Sequence, residues 1–509
     1  MFDEIFDTQT DRGRYHADMV MFALSGAEFN VCQDNELAKL FADCYRHVAR
    51  YNATAEEWFV YDGVRWVQDT GGCAAQELVK DFYKRLWSFM TKRWKDAPET
   101  DSETQRIEAE RKAVSSLHRL SRRRTLLDDA RSIYPFHTED LDTDPWLFNT
   151  ENFTLDLRTG ECRPHSPDDL LSHVASVEYD PTADCPRFKQ FLDEIFCIPT
   201  ENGYTERPAM VDFVQQALGY ALTGSVTEDC LFIEYGATTR NGKTTLAEAV
   251  LSVFGSYGCT TKPDTLAYTG KPNGSGASED VARLKGKRFV SISEPQKAMH
   301  LDAAKVKDMT GGGTQVARFL HQNSFEFRPE FKIFIDTNYL PKATDDTLFT
   351  SGRIHVLGFE RHFSEDERDR DLSEKLESEK SGILNWLLEG LRKYRAAGHL
   401  IAPPEVIEAT KEYQQENDKI GQFFDERMKK SSENCKGGSV YKAFCDWCAD
   451  NNSHPQSKGV FFNDLRRRGL MYPCLVSGKQ DKNGVAGYEI IDFDDRWPSD
   501  EDAPPERKW

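Results

Sequence analysis

Apolar positions in the first part of the chain follow two different periods, which predict strands and helices in turn. Between residues 58 and 67, apolar and polar side chains alternate around an Asp-Gly pair, which predicts a β-hairpin. Residues 76–94 and 101–129 repeat apolar side chains at helical spacing instead. Residues 30–185 are therefore predicted to be a mixed α/β domain, which follows a short lead-in over residues 1–29.

The middle of the chain alternates apolar runs with amphipathic segments. Residues 186–223 are predicted to be helical and to lead into a buried strand, Cys230 to Tyr235. Strand and helix patterns then alternate to about residue 363, which indicates a parallel α/β sheet. We assign this domain to residues 186–370, with the helical segment as a collar in front of the sheet. A helical linker is predicted over residues 371–420.

The order of the elements near the end of the chain is helix, helix and hairpin. Residues 439–451 and 457–468 have the pattern of amphipathic helices, and two short strands follow that turn at Lys482-Asn483-Gly484. This order predicts a winged-helix domain over residues 421–493. Residues 494–509 are acidic and rich in proline, and they are predicted to be disordered.

Composition narrows the class of protein without deciding its partner. The chain has 509 residues and a formal net charge of −20, which argues against a protein coated with basic surface. A ring-shaped motor needs positive charge only where it contacts DNA, so a DNA enzyme remains open. No apolar run reaches the ~18 residues of a membrane-spanning helix. The acidic N-terminus lacks the apolar stretch of a signal peptide, so we expect a cytosolic protein with no membrane partner.

The cysteines are predicted to be reduced thiols. The chain has 12 cysteines without a repeated spacing, a pattern typical of intracellular proteins. Cys445 and Cys448 form a single C-x-x-C pair within a helical pattern, and no second pair lies nearby. Thiols that face a core are therefore favoured over a zinc site.

The most informative segment is a loop between a buried strand and an amphipathic helix. Its sequence ends in the Gly-Lys-Thr triplet of a phosphate-binding loop. In such a loop, backbone N–H groups face the phosphates. Lys243 would supply positive charge to the β- and γ-phosphates, and Thr244 would offer its hydroxyl to Mg²⁺. An ATP- and Mg²⁺-binding site is thus predicted at Gly236, Ala237, Thr238, Thr239, Arg240, Asn241, Gly242, Lys243, Thr244 and Thr245.

One position departs from the usual pattern of this loop. In G-x-x-x-x-G-K-[ST] the first glycine falls at position 237, where this chain has alanine. Gly236 lies one residue earlier. An alanine is acceptable at position 237 if its φ is negative.

A carboxylate ends the apolar strand that begins at Phe289. P-loop ATPases place such a group at the carboxyl end of a strand, where it polarises the attacking water and supports Mg²⁺. Glu294 is therefore the candidate base and a candidate residue of the metal site. Its spacing from Lys243 favours these roles over that of a solvated carboxylate. Residue 293 is serine, where many ATPases have a further acid. Mg²⁺ is accordingly expected to rely on Thr244, the phosphates and water.

Two further candidates lie at strand ends. Asn338 follows the apolar run that starts at Phe331, and it can hydrogen-bond the γ-phosphate or the attacking water. A turn-forming asparagine explains the same residue equally well. Arg353 directly precedes the apolar strand that starts at Ile354. An arginine presented across a subunit boundary would stabilise charge on the transferred phosphoryl group.

Together these segments resemble the superfamily-3 helicases, specifically the primase-helicase branch of phages, plasmids and poxviruses. Their order and spacing both fit, and the resemblance extends over residues 30–493. The matching motifs are T-T-R-N-G-K-T-T at 238–245, the strand ending in S-E at 293–294, the T-G-G to F-E-F-R-P segment at 310–329, F-K-I-F-I-D-T-N at 331–338 and T-D-D-T-L-F-T-S-G-R-I at 344–354.

The resemblance implies an α/β fold class with an AAA+-type P-loop ATPase core, an N-terminal α/β accessory domain and a C-terminal winged helix. It also implies a homo-hexameric ring that hydrolyses ATP between subunits and moves on single-stranded or forked DNA. In that scheme Lys243 and Thr244 bind phosphate and Mg²⁺, and Glu294 activates water. Asn338 is the sensor, and Arg353 is the finger that acts on the neighbouring subunit. The expected setting is the cytoplasm of a bacterial host.

Two groups of basic residues are candidates for contact with DNA. The resemblance places a pore hairpin over residues 305–327, where the family often has G-G-D and this chain has three glycines, 311–313. Surface ion pairs are the alternative explanation for each pore residue. In the winged helix, the clustering of basic residues favours DNA over a protein partner. The candidates are Lys305, Lys307, Arg318 and His321 in the hairpin, and Lys458, Arg466, Arg467 and Arg468 in the winged helix.

The predicted function is that of an ATP-dependent DNA helicase, which unwinds duplex DNA in the replication of a phage or mobile element. Two alternatives remain: an origin-melting initiator or loader with little processive unwinding, and an ATP-bound scaffold that recruits replication proteins. The presence of Lys243, Glu294 and Arg353 together argues against the scaffold. Relatives often carry a primase domain in front of the accessory domain, and residues 1–29 are too few to form one. We therefore expect no primase activity here, and priming by a separate primase or by the host.

Overall fold

The computed structural model of this chain describes most of the sequence and divides it into two compact units. The units are residues 1–410 and residues 411–509. No helix within the described ranges is long and apolar enough to cross a bilayer. The residues described are 11–26, 31–96, 101–201, 203–268, 279–293, 295, 299–318, 324–343, 345, 347–451 and 453–491.

The first unit begins with a helical layer that carries two small antiparallel sheets. The sheets have the orders β1-β2-β3 and β4-β5-β6. The helix predicted over residues 101–129 is two helices, because a 3₁₀ turn at Ser116–His118 interrupts it. The elements are α1 (Asp11–Gly26), α2 (Asp34–Tyr45), β1 (Ala49–Asn52), β2 (Glu57–Tyr61), β3 (Trp66–Gln68), α3 (Cys73–Lys95), α4 (Asp101–Ser115), α5 (Leu120–Ala130), β4 (Leu147–Asn149), β5 (Thr154–Asp156) and β6 (Glu161–Arg163).

The collar differs from its prediction. Residues 186–223 are not continuously helical but form a helix, a hairpin and a second helix: α6 (Pro186–Ile195), β7 (Cys197–Thr200), β8 (Gly203–Glu206) and α7 (Pro208–Ala221). Pro199 cannot donate to a helical ladder, and Gly203 has a φ of 130°, which no helix contains. Pro208 then restarts the helix at a position where its missing N–H has no consequence.

A five-stranded parallel sheet follows the collar, as the alternating pattern predicted. Its strand order is β10-β11-β15-β9-β17, and each pair of neighbouring strands is parallel. The elements of this region are β9 (Leu231–Tyr235), α8 (Lys243–Phe254), β10 (Gly258–Thr261), α9 (Glu279–Ala282), β11 (Phe289–Ser293), β12 (His300–Leu301), α10 (Ala303–Thr310), β13 (Gln315–Ala317), β14 (Phe325–Phe327), β15 (Lys332–Thr337), β16 (Lys342–Ala343), α11 (Thr347–Thr350) and β17 (Ile354–Gly358).

Both faces of the central strands are covered. All residues of β15 are buried, and only the last residue of β9 is partly exposed. Phe232 of β9 stacks on Phe334 of β15 with ring centroids 4.6 Å apart, and Phe289 of β11 lies 4.9 Å from Phe334. Strands buried on both faces explain why the sequence shows continuous apolar runs here instead of alternation.

A buried arginine connects the sheet to the N-terminal layer. Arg288 is 1% exposed, and its two terminal nitrogens donate to the carbonyl oxygens of Leu222 and Leu147 at 2.6 and 2.7 Å. Its guanidinium also lies over the ring of Tyr257, 4.8 Å from the centroid. The hydroxyl of Tyr257 in turn accepts from the backbone N–H of Asn149. These bonds fix the β4–β6 sheet against the start of β11.

Helices complete the first unit after the sheet. They are α12 (Leu372–Ser378), α13 (Lys380–Ala397) and α14 (Pro404–Asn417), the last of which contains the division between the units. α13 packs along α7: in this contact the amide of Gln215 donates to the carbonyl oxygen of Trp386 at 2.9 Å. The Pro403-Pro404 pair lies where α14 begins.

The second unit contains two helices between strands of one antiparallel sheet. Its core is aromatic, with Phe423, Phe444 and Phe461 in mutual contact. Cys448 is buried in this core, and all twelve cysteines of the chain are free. The sheet has the order β18-β20-β19. The elements are α15 (Lys419–Arg427), β18 (Met428–Lys436), α16 (Gly437–Asp450), α17 (Lys458–Arg467), β19 (Met471–Val476) and β20 (Lys479–Ile490).

The C-terminal hairpin turns earlier than the sequence predicted. The turn is Ser477-Gly478, with φ values of 50° and 76°, and Val476 pairs with Lys479 on either side of it. Two consecutive residues of positive φ make the tight turn that best matches the twist of a hairpin. The prediction of a turn at residues 482–484 was wrong, because those residues lie inside β20. β18 was not predicted at all.

Candidate nucleotide-binding site

The loop between β9 and α8 closes on the N-terminal end of the helix. Gly242 precedes the first helical residue with a φ of 88°, and its carbonyl accepts from the N–H of Leu246 at 2.9 Å. The side-chain amide of Asn241 donates to the carbonyl oxygen of Thr238 at 2.7 Å, which holds the loop in a compact curve. The first N–H groups of any helix lack intrahelical acceptors and carry partial positive charge. This end of α8 is therefore suited to bind an anion.

Gly236, at the start of the loop, leaves no room for a side chain. A Cβ on Gly236 would lie 2.2 Å from the amide nitrogen of Asn241 and 2.7 Å from the carbonyl oxygen of Phe359. Ala237 is exposed and is not among the residues with positive φ, so the condition for an alanine there is met. The close approach of the chain thus requires a glycine one residue before the usual position.

Lys243 is buried at the first position of α8. Its ammonium donates to the amide oxygens of Asn338 at 2.8 Å and of Asn241 at 3.1 Å. A carboxylate oxygen of Asp336 lies 3.6 Å from the same nitrogen. The side chain is 4% exposed, so these oxygens take the place of water around the charge.

Thr244 contacts the same carboxylate from an exposed position. Its hydroxyl donates to the second oxygen of Asp336 at 3.1 Å. Asp336 therefore touches both residues that the sequence assigned to phosphate and Mg²⁺. Sequence reasoning missed Asp336, which lies within an apolar run. The available signal was its position two residues before Asn338, since side chains at i and i+2 of a strand share one face.

Strand register brings these groups together. In the sheet, Asp336 of β15 is paired with Ser293 of β11 on one side and with Glu234 of β9 on the other. All three strands are parallel, so their carboxyl ends meet at the edge where the loop leaves β9. Asn338 follows at the same edge, as predicted. Glu294, the candidate base, lies outside the described residues, and its role stays a prediction.

Glu234 is a second buried carboxyl group in this network. Burial, and then the negative charge of Asp336, raises its pKa from 4.5 to about 8, although Lys243 acts in the opposite direction. At neutral pH this shift favours the neutral, protonated form of Glu234.

Arg353 lies at the amino end of the parallel strands, whereas the loop lies at their carboxyl end. It precedes β17, and its carbonyl accepts from Leu231, the first residue of β9. Its Nη1 donates to the carbonyl of Asp229 at 3.0 Å and to the hydroxyl of Thr310 at 2.8 Å. A strand of five residues spans roughly 16 Å, so Arg353 does not reach the loop of its own chain. Only a role towards another subunit remains compatible with the prediction of a finger.

A segment after β17 covers one side of the loop. His362 Nδ1 lies 2.7 Å from the carbonyl oxygen of Thr239, and the N–H of Phe363 donates to the carbonyl of Arg240 at 2.8 Å. Arg240 also forms an ion pair with Glu365 at 2.9 Å. Nearby, a cavity of about 580 Å³ between α6, the β7–β8 hairpin and Arg361 contains no residue of the loop among those that line it.

The predicted pore residues are only partly available to a ligand. Lys305 donates to the carbonyl of Ala267 at 2.7 Å, and Lys307 donates to the hydroxyl of Thr347 at 2.6 Å. Arg318 is exposed just after β13, which pairs with β14 in an antiparallel hairpin. His321 lies outside the described residues. DNA binding by these four residues stays a prediction.

The residues of the basic cluster in the second unit differ in how far they are buried by their contacts. Arg468 forms two bonds to the carboxylate of Asp418, at 2.6 and 2.7 Å, and both side chains are about three-quarters buried. Arg466, Arg467 and Lys458 are exposed on or beside α17. The exposed three form the part of the cluster that is accessible to a phosphate backbone.

The donor set at the loop suits a magnesium ion that arrives with a nucleotide. Mg²⁺ prefers hard oxygen ligands and commonly takes only one or two from the protein, while phosphates and water supply the others. Thr244 and Asp336 offer a hydroxyl and a carboxylate at the anion-binding end of α8. Within the described ranges, no group of three or more His, Cys, Asp and Glu side chains is arranged to hold an ion independently of such a ligand.

Comparison with known proteins identifies the N-terminal part of the first unit. Residues 38–197 match the family model described as D5 N terminal like. This stretch of the chain is therefore similar to that family. The match ends just after α6. A Cβ added to Gly242 would lie 2.4 Å from Cγ2 of Ile195, the last residue of α6, so the matched stretch contributes a residue that packs against the loop.

Proteins of large DNA viruses are related to most of the chain. One, of Acanthamoeba polyphaga mimivirus, is named "Putative helicase L207/L206" and is 25% identical over 451 residues, which cover 82% of this chain and 45% of the relative. Another, of Frog virus 3 (isolate Goorha), is named "Putative helicase 022R" and is 23% identical over 576 residues, which cover 89% and 58%. The chain spans about half the length of these relatives. With the D5 N terminal like domain, they confirm the resemblance to the primase-helicase family.

Solved structures of the NrS-1 C-terminal region also match. The match to one apo structure covers 86% of this chain and 95% of the chain in that structure, with a TM-score of 0.48 at 10% identity. A second, of residues 305–718 of that protein, covers 89% and 99%, with a TM-score of 0.47.

Replacement of Glu234 by glutamine should change how stability depends on pH. Because the folded pKa is raised to about 8, the contribution of Glu234 is complete below pH 4.5 and is lost as the pH rises through 8. Unfolding of the first unit at pH 5 and pH 8.5 should show wild type losing on the order of a few kcal/mol relative to Glu234→Gln. Glu248→Gln, at an exposed position of α8, should follow wild type. Parallel profiles for Glu234→Gln and wild type would contradict the assignment.

Proposed function

We propose that this chain is an ATP-dependent DNA helicase of the superfamily-3 type, which works as a homo-hexameric ring in the replication of a phage, virus or other mobile element. The observation that carries the proposal is the buried ammonium of Lys243 at the N-terminal end of α8, beside Asn338 and Asp336. A buried cation at the positive end of a helix is unfavourable by itself. The triphosphate of ATP, which binds at such helix ends, explains why the chain keeps it there.

The sheet supports an AAA+-type core. The loop-bearing strand β9 lies between β15 and β17, and β11 and β10 continue the sheet beyond β15. This is the strand order of AAA+ ATPases, in which the first strand of the fold is central. Ligands of open parallel sheets bind outside the carboxyl ends of the strands, and Lys243, Asp336 and Asn338 lie at that edge.

The predicted site residues have complementary roles in ATP hydrolysis. Lys243 neutralises charge on the β- and γ-phosphates, and the first N–H groups of α8 donate to phosphate oxygens. Mg²⁺, which would be held by Thr244, supplies further positive charge to the phosphates when it is bound. Asn338 orients the γ-phosphate or the attacking water, and Glu294 accepts the proton of that water.

Arg353 acts on the nucleotide of a neighbouring subunit. Its position at the far edge of the sheet excludes contact with the loop of its own chain. In a ring, that edge faces an adjacent subunit, where a guanidinium stabilises charge on the transferred phosphoryl group. This role makes hydrolysis depend on assembly.

DNA contact is assigned to the β13–β14 hairpin and to the second unit. The hairpin carries the exposed Arg318, and Lys305 and Lys307 lie on the helix before it. The second unit has the helix, helix and hairpin order of a winged helix, with Arg466 and Arg467 exposed at the end of α17. Exposed arginines on such a module suit a phosphate backbone.

Replacement of Lys243 by alanine should abolish ATP turnover. The expected loss is at least about 100-fold, because the variant lacks the charge on the transferred phosphate. Steady-state hydrolysis with and without single-stranded DNA measures it. Lys262→Ala, at an exposed lysine of the same unit, should hydrolyse ATP like wild type. Near-normal turnover by Lys243→Ala would remove the assignment of the loop.

The same preparations separate the helicase from its two alternatives. A scaffold hydrolyses ATP slowly and is not stimulated by single-stranded DNA. An initiator or loader hydrolyses ATP but displaces little strand from a forked duplex. A helicase does both. Strand displacement from a fork, measured beside hydrolysis, therefore decides among the three.

Replacement of Arg353 by alanine should stop hydrolysis while nucleotide binding persists. If sites are shared, mixing Arg353→Ala protein with Lys243→Ala protein creates some interfaces with both native residues, and the mixture should recover part of the wild-type turnover. Hydrolysis across a series of mixing ratios measures this. A mixture that is as inactive as its components at every ratio would contradict the action between subunits.

Two neighbouring arginines of the second unit should have different roles. Arg468→Ala removes the two hydrogen bonds to the carboxylate of Asp418 and should destabilise this unit by about 1–2 kcal/mol. Arg466→Ala removes two exposed hydrogen bonds, to Asn463 and Asn483, and should change stability by no more than about 0.5 kcal/mol. It should weaken DNA binding severalfold and lower the salt dependence by about one ion. Thermal unfolding and DNA titration at several salt concentrations measure the two effects. Unchanged affinity and salt dependence in Arg466→Ala would remove this residue from the DNA surface.

A further inference from the structure

The carboxyl end of β11 lacks an acid that many ATPases have there. Residue 293 is serine, and the chain continues with Glu294. A serine hydroxyl is neutral, so it cannot balance the charge of a magnesium ion. If the site binds Mg·ATP, the acid that many ATPases place at position 293 must be replaced from elsewhere, or the ion must depend on Thr244, Glu294, phosphates and water.

Asp336 occupies the adjacent place in the sheet. It is paired with Ser293 across two parallel strands, which lie about 4.8 Å apart in any sheet. Asp336 lies near the carboxyl end of β15, which is also the end of the sheet where α8 begins. The hydroxyl of Thr244 donates to it at 3.1 Å. The carboxylate that is missing from β11 is thus present one strand further into the sheet.

The hydrogen bond from Thr244 has a direct consequence for a cation. A hydroxyl has one proton and two lone pairs. When the proton points to Asp336, only lone pairs face away, and lone pairs are what a cation requires. Thr244 is exposed, so these lone pairs are open to a ligand. The carboxylate therefore fixes the hydroxyl in the orientation that binds Mg²⁺.

A positive charge lies beside Asp336. The ammonium of Lys243 is 3.6 Å from a carboxylate oxygen of Asp336, and both side chains are buried. Of the two carboxyl groups that are paired across β9 and β15, Asp336 is the one that accepts the hydrogen bond from Thr244.

We propose that Asp336 is the metal-positioning residue of this site: from β15 it does what an acid at position 293 does from β11, by orienting Thr244 and the water shell of the Mg²⁺ that accompanies ATP. This inference rests on the proposed function, because it requires that the loop binds Mg·ATP. It adds a residue to the site that neither the loop motif nor the strand ending in Glu294 includes.

The test measures how much Mg²⁺ strengthens nucleotide binding, independently of turnover. A fluorescent, non-hydrolysable ATP analogue is titrated into the full chain in excess Mg²⁺ and in EDTA. For wild type, the dissociation constant should be lower in Mg²⁺. For Asp336→Asn, the ratio of the EDTA value to the Mg²⁺ value should fall at least about tenfold, as for the loss of a group that orients a metal ligand. A purely structural role would change both constants together and leave their ratio unchanged.

Two variants provide the matched comparisons. Glu248→Gln removes an exposed carboxylate of α8 and should keep the wild-type ratio, because Glu248 is not part of the site. The double variant Ser293→Asp/Asp336→Asn returns an acid to β11 and should restore at least part of the ratio. Mn²⁺ titration followed by electron paramagnetic resonance should show the same order of metal affinities among the nucleotide complexes. Thermal unfolding checks that each variant is folded.

The outcomes separate this inference from the function on which it rests. If wild type binds the analogue more tightly in Mg²⁺ and Asp336→Asn keeps the same ratio, the role of Asp336 is overturned and the nucleotide site stands. If wild type binds no analogue, both fail. Should Asp336→Asn not fold, Asp336→Glu decides instead. It keeps the charge but moves the carboxylate by one methylene, so its ratio should fall severalfold, and an unchanged ratio overturns the role.

Discussion

The burial of one ammonium group is the constraint on which the first unit depends. Lys243 begins α8, where the helix dipole is positive, and its side chain is removed from water. Such a charge is tolerated only when oxygens surround it, and here Asn338 and Asp336 supply them from the end of β15. They can do so because β15 lies directly beside β9 in the sheet. The loop, the helix and the strand order therefore solve one electrostatic problem together.

Much of this arrangement was predictable because its signals are local. A buried strand is an apolar run, and the loop between β9 and α8 has its own motif. Asp336 was missed since a residue inside an apolar run is assigned to the run. Its contact with Thr244 depends on which strands are neighbours, and a single sequence does not contain that order. Asn338 was predicted because it stands just beyond the run, where a polar residue is conspicuous.

The incorrect predictions have a different physical origin. The β7–β8 hairpin interrupts the collar, yet all four residues of β8 are exposed, so the hairpin has no alternating pattern to reveal it. In the second unit, Ser477 adopts a positive φ, a conformation that is not expected for serine, so the turn was not predicted there. Lys482-Asn483-Gly484 has the composition of a turn, but it lies within β20, at an irregularity in the pairing of β20 with β19. Short strands held by backbone pairing leave little trace in the order of apolar residues.

The contacts of Arg353 join two parts of the molecule that the sequence separates. Its Nη1 bonds Thr310, the last residue of α10, and α10 leads into the β13–β14 hairpin. If Arg353 acts on a neighbouring subunit as proposed, the same guanidinium that meets the phosphate also holds the end of α10. The state of a neighbouring nucleotide would then be coupled, through one side chain, to the position of the β13–β14 hairpin.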